Sequence, residues 1–254
     1  KMGFLLVIIC LLAGQAALAQ QNVYRSWITH ATAPEFSNCG YNAGTTQFSA
    51  PATAPATGTT YGTRSSGMDL TSYAPSSATN AQFVVAAIGS ANTSGCLSFW
   101  MRPNENGKLT SGGAEHYLLE AGSPDTDGFR VSWDNAAGTL RFRMSNAAGK
   151  TTVCRADISS WQAAEWHHVQ VNWYARANCA RGLAVFIDRV CAASCIMGSD
   201  SFMSVPSGNK VKLGGLYGTA STYPKCYMDE LVFRTGIDEG SQLMSPTPVC
   251  YRDY

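Results

Sequence analysis

Between Phe129 and Ala156 the chain alternates apolar and polar residues with a period of two, three times in succession. The runs are FRVSW (129–133), TLRFRM (139–144) and KTTVCRA (150–156), separated by DNAAG and SNAAG. Successive side chains of a strand leave opposite faces, so Phe129, Val131 and Trp133 share one face with Leu140, Phe142 and Met144, while Arg130, Arg141 and Arg143 point the other way. Asn and Gly between the runs are turn residues. The pattern predicts an antiparallel meander with one packed face. Further strands are expected at 97–101, 116–120, 167–173, 183–188, 210–215 and 228–234, and no helix of useful length is expected.

The first residues combine a cationic start, the apolar run FLLVIICLLAG and Ala17-Leu18-Ala19. That is the form of a secretory signal peptide cut after Ala19, and it is too short to span a bilayer as a mature helix. Of nine cysteines, Cys10 falls in this segment. Cys39, Cys96, Cys154, Cys179, Cys191, Cys195, Cys226 and Cys250 remain. An even number in an exported chain favours disulfides, with about a hundred connectivities open. Cys191-x-x-x-Cys195 lacks the companion pair that a zinc site needs. Residues 20–66 carry Ala50-Pro51-Ala52-Thr53 repeated as Ala54-Pro55-Ala56-Thr57 in a Ser/Thr/Gly-rich stretch, which predicts an extended linker. The domain proper is then 67–254, a length suited to one β-sandwich. Charged residues make up 14% of the chain with a net charge of +1. No basic face for nucleic acid follows, and no cationic amphipathic helix for a membrane.

Five ordered pieces between Gly67 and Leu243 carry a family resemblance. They are Leu97-Ser98-Phe99-Trp100-Met101-Arg102-Pro103; the DGFRVSW and GTLRFRM hairpin; Trp166-His167-His168-Val169-Gln170-Val171; Leu183-Ala184-Val185-Phe186-Ile187-Asp188; and Met228-Asp229-Glu230-Leu231-Val232-Phe233. In this order they resemble the laminin G-like branch of the concanavalin A-like lectin/glucanase superfamily. The resemblance implies an all-β fold, a two-sheet antiparallel jelly-roll sandwich. Asp188-Arg189 stands where the family has Asp-Gly, and the insert from Cys179 to Cys195 is not part of the common pattern.

Hydrolysis on such a sheet needs two carboxyl groups at reacting distance, which along one strand means acids at i and i+2 or i+4. The family's glucanases use Glu-x-Asp-x-x-Glu, and no such strand is present. Asp229 and Glu230 must leave opposite faces, and Glu120 and Glu165 stand singly. Parity places Asp229 with Leu231 and Phe233 on the core face, where a carboxylate needs backbone amides, Arg64, Arg234 or a cation. Many relatives hold a structural calcium, so Asp229 with Asp69 is a candidate pair for calcium. The fragment Asp125-Thr126-Asp127-Gly128 lacks a downstream Glu and is expected to be a hairpin turn. His167 and His168 cannot chelate one ion from a strand.

Sugar binding asks for aromatic rings and fixed polar groups. Trp161, Tyr217, Tyr223 and Tyr227 are expected in or beside loops, with Arg143, Gln170 and Asn172 on strand faces opposite the core. Trp100, Trp133, Trp166 and Trp173 are expected in the core. Asn92-Thr93-Ser94 is a glycosylation sequon. The expected function is a secreted, extracellular and non-catalytic recognition module that needs no cofactor and binds a glycan or extracellular protein. The alternatives are a self-assembling subunit of a surface coat or filament and, third, a glycoside hydrolase.

Overall fold

The computed structural model describes residues 22–29, 35–38, 48–49, 56–57, 68–71, 82–84, 95–123, 127–176, 179–197, 210–214 and 223–235. These form β1 (Asn22–Thr29), β2 (Glu35–Asn38), β3 (Phe48–Ser49), β4 (Ala56–Thr57), β5 (Met68–Asp69), β6 (Gln82–Val84), β7 (Gly95–Pro103) and β8 (Glu115–Ser123). The second half adds β9 (Asp127–Asp134), β10 (Thr139–Ser145), β11 (Thr151–Asp157), β12 (His167–Arg176), β13 (Cys179–Ile187), β14 (Val190–Met197), β15 (Lys210–Leu213) and β16 (Cys226–Thr235). One sheet runs β14-β13-β12-β7-β16-β1-β2, with β5 joined to β16 and β4 to β5; the other runs β11-β10-β9-β8-β15-β6-β3. The fold is the all-β, two-sheet antiparallel sandwich expected, with no helix among the described residues.

The segment expected to be a linker supplies β1 to β4, which join the two sheets. Thr57 of the Pro/Ala/Thr repeat lies in β4, and its Cα partner is Met68. The signal peptide, Cys39, Asn92, Tyr217 and Cys250 lie outside the described residues.

The turns explain the register. Asp134 Oδ1 accepts the N–H groups of Ala136 (3.0 Å) and Ala137 (2.9 Å), and Gly138 takes φ +72° to return the chain into β10. Asn146 Oδ1 does the same before β11, accepting from Ala148 and Lys150. Both are Asx-type turns, in which a short side chain substitutes for backbone partners. Between β13 and β14, Asp188 and Arg189 both have positive φ, 49° and 74°. A two-residue hairpin of right-twisted strands requires this, and an Asp-Gly pair would meet it with less strain. The Asp188 carboxylate compensates by accepting from the His168 N–H at 2.8 Å and bonding His167 Nδ1 at 2.8 Å.

The predicted core face is buried throughout: Phe129, Val131, Trp133, Leu140, Phe142 and Met144 are fully inaccessible. Trp173 of β12 crosses the interface, with ring centroids 6.1 Å from Phe129 and 6.2 Å from Phe142. The two sheets therefore meet through one aromatic cluster. Two expectations for tryptophan are corrected. Trp100 is half-buried on the face away from the core, edge-on to His168 at 5.2 Å, because Leu97, Phe99 and Met101 take the inward positions of β7. Trp166 is half-buried just before β12.

Replacing Phe142 by Ala removes a ring shared between the sheets and leaves a cavity. The expected cost is about 3–5 kcal/mol of unfolding free energy, to be read from urea denaturation of wild type and variant.

Candidate functional site

Burying one face of the β8–β11 meander leaves its other face polar by construction. The register assembles that face into rows, since residues directly opposite one another in antiparallel strands project to the same side. One row runs Val153, Arg143, Arg130, Glu120 and Lys212 across β11, β10, β9, β8 and β15. The next holds Arg155, Arg141, Ser132 and Tyr117, and the third Asp157, Thr139, Asp134 and Glu115. Five cationic side chains thus share one sheet face with four acids.

At its centre Arg130 Nε donates to Glu120 Oε1 at 2.5 Å, and the guanidinium lies 3.9 Å from the centroid of the Tyr117 ring. Glu120 is 1% exposed and Arg130 7%. A buried ion pair adds little net stability, but deleting one partner strands the other, at about 3–5 kcal/mol. Around this anchor Tyr117, Arg141, Arg143 and Lys212 are half-buried and Arg155 is exposed.

Arg141 holds two carboxylates, Glu115 at 3.5 Å and Asp134. These acids are direct cross-strand partners, a pairing that a search along single strands misses. They are not arranged as a glycosidase pair, which needs one carboxyl free to deliver a proton and the other free to reach sugar or water. Asp134 Oδ1 caps the β9–β10 turn while its Oδ2 binds Arg141, and Glu115 Oε1 accepts from Ser132 Oγ at 2.6 Å. Of the acids considered singly, Glu120 is taken up by Arg130. Glu165 lies exposed in the loop before β12, near Gln162 and His167.

Among the described residues, Arg143 is the one expected ligand residue that this face contains. Trp161 is corrected: it is 5% exposed, belongs to the core cluster and stacks on His167 at 3.9 Å with the planes 8° apart. Asn172 and Gln170 are corrected too. They leave β12 away from the core as expected, but are 1% and 3% exposed and bond to each other at 2.9 Å, so they offer nothing to a ligand. Tyr227 is the second residue of β16, beside the preceding loop, and is half-buried with the Arg102 guanidinium 5.1 Å from its ring centroid. Tyr223 is half-buried, and its carbonyl accepts from His116 Nδ1 at 2.7 Å. His116 is held on its other side by Asn135, which donates to Nε2 at 3.1 Å and to Glu105 at 2.8 Å.

The core-side placement of Asp229 is also corrected. A register irregularity between Asp229 and Val232 breaks the parity of β16, so Cys226, Met228 and Leu231 face the core and Asp229 lies opposite Trp100 on the other face. Asp69 Oδ1 accepts from the Thr71 amide (2.9 Å) and hydroxyl (2.6 Å). Calcium takes six to eight oxygen ligands, and no group of three or more His, Cys, Asp or Glu that would hold a metal occurs among the described residues. Among the cysteines, Cys96, Cys154 and Cys226 are buried, Cys195 is partly buried and Cys191 is exposed.

Fold and geometry together define a jelly-roll-like β-sandwich with one charged sheet face. Among solved structures it is similar to the binding domain of botulinum neurotoxin serotype D (TM-score 0.57, 10% identity, covering 84% of this chain and 48% of that one). It is similar also to that of serotype G (0.58, 10%, 83% and 46%) and to the binding domain of Paraclostridial Mosquitocidal Protein 1 (0.55, 17%, 85% and 49%). The chain spans about half the length of these structures, and at such identities the likeness is one of fold. No protein-family model and no curated protein sequence matches the chain.

His168 is 6% exposed, and burial is the main cause that lowers its pKa from 6.5 to about 4; burial lowers His116 in the same direction. The unfolded chain takes up a proton near pH 6.5 that the folded chain refuses until about pH 4. Stability is therefore fully present above pH 6.5 and falls as the pH drops through that window, by up to about 3 kcal/mol for His168. Denaturant titrations at pH 7.5 and 4.5 should show wild type losing about 2 kcal/mol more than His168→Phe between the two pH values.

Proposed function

We propose that this chain is a secreted, non-catalytic recognition module whose ligand, a glycan or an extracellular protein, docks on the outer face of the seven-stranded sheet. The observation that carries this reading is the cross-strand row of Arg143, Arg130, Glu120 and Lys212 with Tyr117 and Arg141 beside it. Guanidinium groups present planar forks of N–H donors suited to carboxylates and hydroxyls. The buried Glu120 and the Tyr117 ring hold Arg130 in one orientation, which reduces the ordering cost of binding. Such a surface works without a cofactor.

Two further points support the reading. The similar solved structures are themselves described as binding domains. Among the described residues, the juxtaposed acid pair Glu115 and Asp134 is tied to Arg141. Self-assembly is a second reading, favoured by Val190 and Ile196, which are 67% and 75% exposed on β14, the outermost strand of its sheet. An apolar edge strand is a template for pairing with another chain. Light scattering over a concentration series separates the two, since growth of the particle with concentration favours assembly.

The direct test is a screen of the purified chain against immobilised polysaccharides and extracellular matrix proteins. Binding is expected, and Arg143→Ala or Lys212→Ala should each weaken it about tenfold, roughly 1.4 kcal/mol, with the melting temperature unchanged. No binding across the screen, or full binding by both variants, would sink the proposal.

A further inference from the structure

The two sheets meet at one edge through their outermost strands, β11 and β14, which are in contact. Cys154 projects from β11 into the core and is 2% exposed. Its Sγ lies 3.9 Å from the carbonyl oxygen of Leu183. Leu183 is the residue of β13 directly opposite Cys195 in the ladder to β14. Cys195 packs against the core cluster from the other sheet while staying partly accessible. Both side chains therefore enter the gap between the sheets at its β11–β14 edge, close enough for each thiol to bear on the other's ionisation.

Cys191 is close in sequence but turned the wrong way. The register between β13 and β14 shifts between Val185 and Phe186. Ala193 and Cys195 therefore oppose the core residues Val185 and Leu183, while Cys191 opposes Phe186 on the other face and is exposed. We propose that Cys154 and Cys195 form an inter-sheet disulfide that closes the open edge of the sandwich.

The local chemistry supports a defined order of events. The pKa of the Cys154 thiol is pushed up by its interaction with Cys195 and by burial, whereas the same interaction lowers that of Cys195. The thiolate is the attacking species in exchange. Cys195, the more accessible and more readily ionised of the two, attacks a disulfide RS–SR of an oxidised dithiol oxidoreductase or of oxidised glutathione. A mixed disulfide forms at Cys195 and one RS⁻ leaves. Cys154 then gives up its proton and attacks the Cys195 sulfur, displacing the second RS⁻. The balance is two protein thiols and one RSSR giving one protein disulfide and two RSH.

The purified full chain is incubated with oxidised glutathione, alkylated without reduction, digested with trypsin and analysed by mass spectrometry. The expected product joins peptide 151–155 to peptide 190–210. That product should persist in Cys191→Ser and vanish in Cys195→Ser and Cys154→Ser. Reduction of the wild-type protein should lower its melting temperature by about 10 °C, as loss of a link closing a loop of this length implies for a chain of this size; the same reductant should shift the Cys154→Ser/Cys195→Ser variant by clearly less. Alkylated thiols at both positions after oxidation, or a link from Cys154 to any other cysteine, would overturn the proposal. It would equally fall if the wild-type melting temperature were indifferent to reduction, a readout that needs no variant to fold.

Discussion

The structure depends on the contact of Trp173 with Phe129 and Phe142. These three rings come from opposite sheets, and they are among the largest side chains fully withdrawn from water. Apolar burial is non-directional, but rings of this size pack in few ways, so the cluster also selects how one sheet lies on the other. Leu140, Val131, Val171 and Val185 complete the same interior. Each inward residue commits its neighbours to the outside, so the aromatic core determines the outer face as well.

That outer face is where charge is concentrated. A strand that alternates strictly has no other place for Arg130, Arg141 and Arg143, and three arginines side by side would repel unless acids were interleaved. Glu120, Glu115 and Asp134 meet that need from the adjoining strands. The face is therefore largely neutralised within itself, with the Arg130–Glu120 pair sealed and the guanidinium of Arg141 shared. Residues around the sealed pair stay partly open to solvent. The corresponding face of the other sheet is different: Ser98, His168, Gln170, Asn172 and Phe186 are all buried there.

Much of the architecture was legible from local pattern. The alternation in 129–156 located β9, β10 and β11 and their core face, and the other apolar runs located β7, β8, β12, β13, β15 and β16. Strand β14 escaped notice because Ala, Ser and Cys are too small and too alike to display a period. Strand β4 escaped because a Pro/Ala/Thr composition reads as spacer. The site was less legible. Trp161 and Asn172 were assigned by whether a residue type sits in a loop or on an outward parity. Exposure is decided instead by what packs over the residue.

The sequence by itself determined that this chain makes an antiparallel sandwich, and that β9, β10 and β11 each carry one apolar and one arginine-bearing face, because side-chain parity is a property of each strand alone. Only the tertiary structure decided which groups meet. Glu115 opposes Asp134, Glu120 lies between Arg130 and Lys212, and Cys154 faces Cys195, because cross-strand register and sheet packing are set by residues far apart in the chain. Asp229 shows the limit of parity most plainly. One irregular residue in β16 moved it to the opposite face, and an extra residue in a ladder reverses every side chain beyond it.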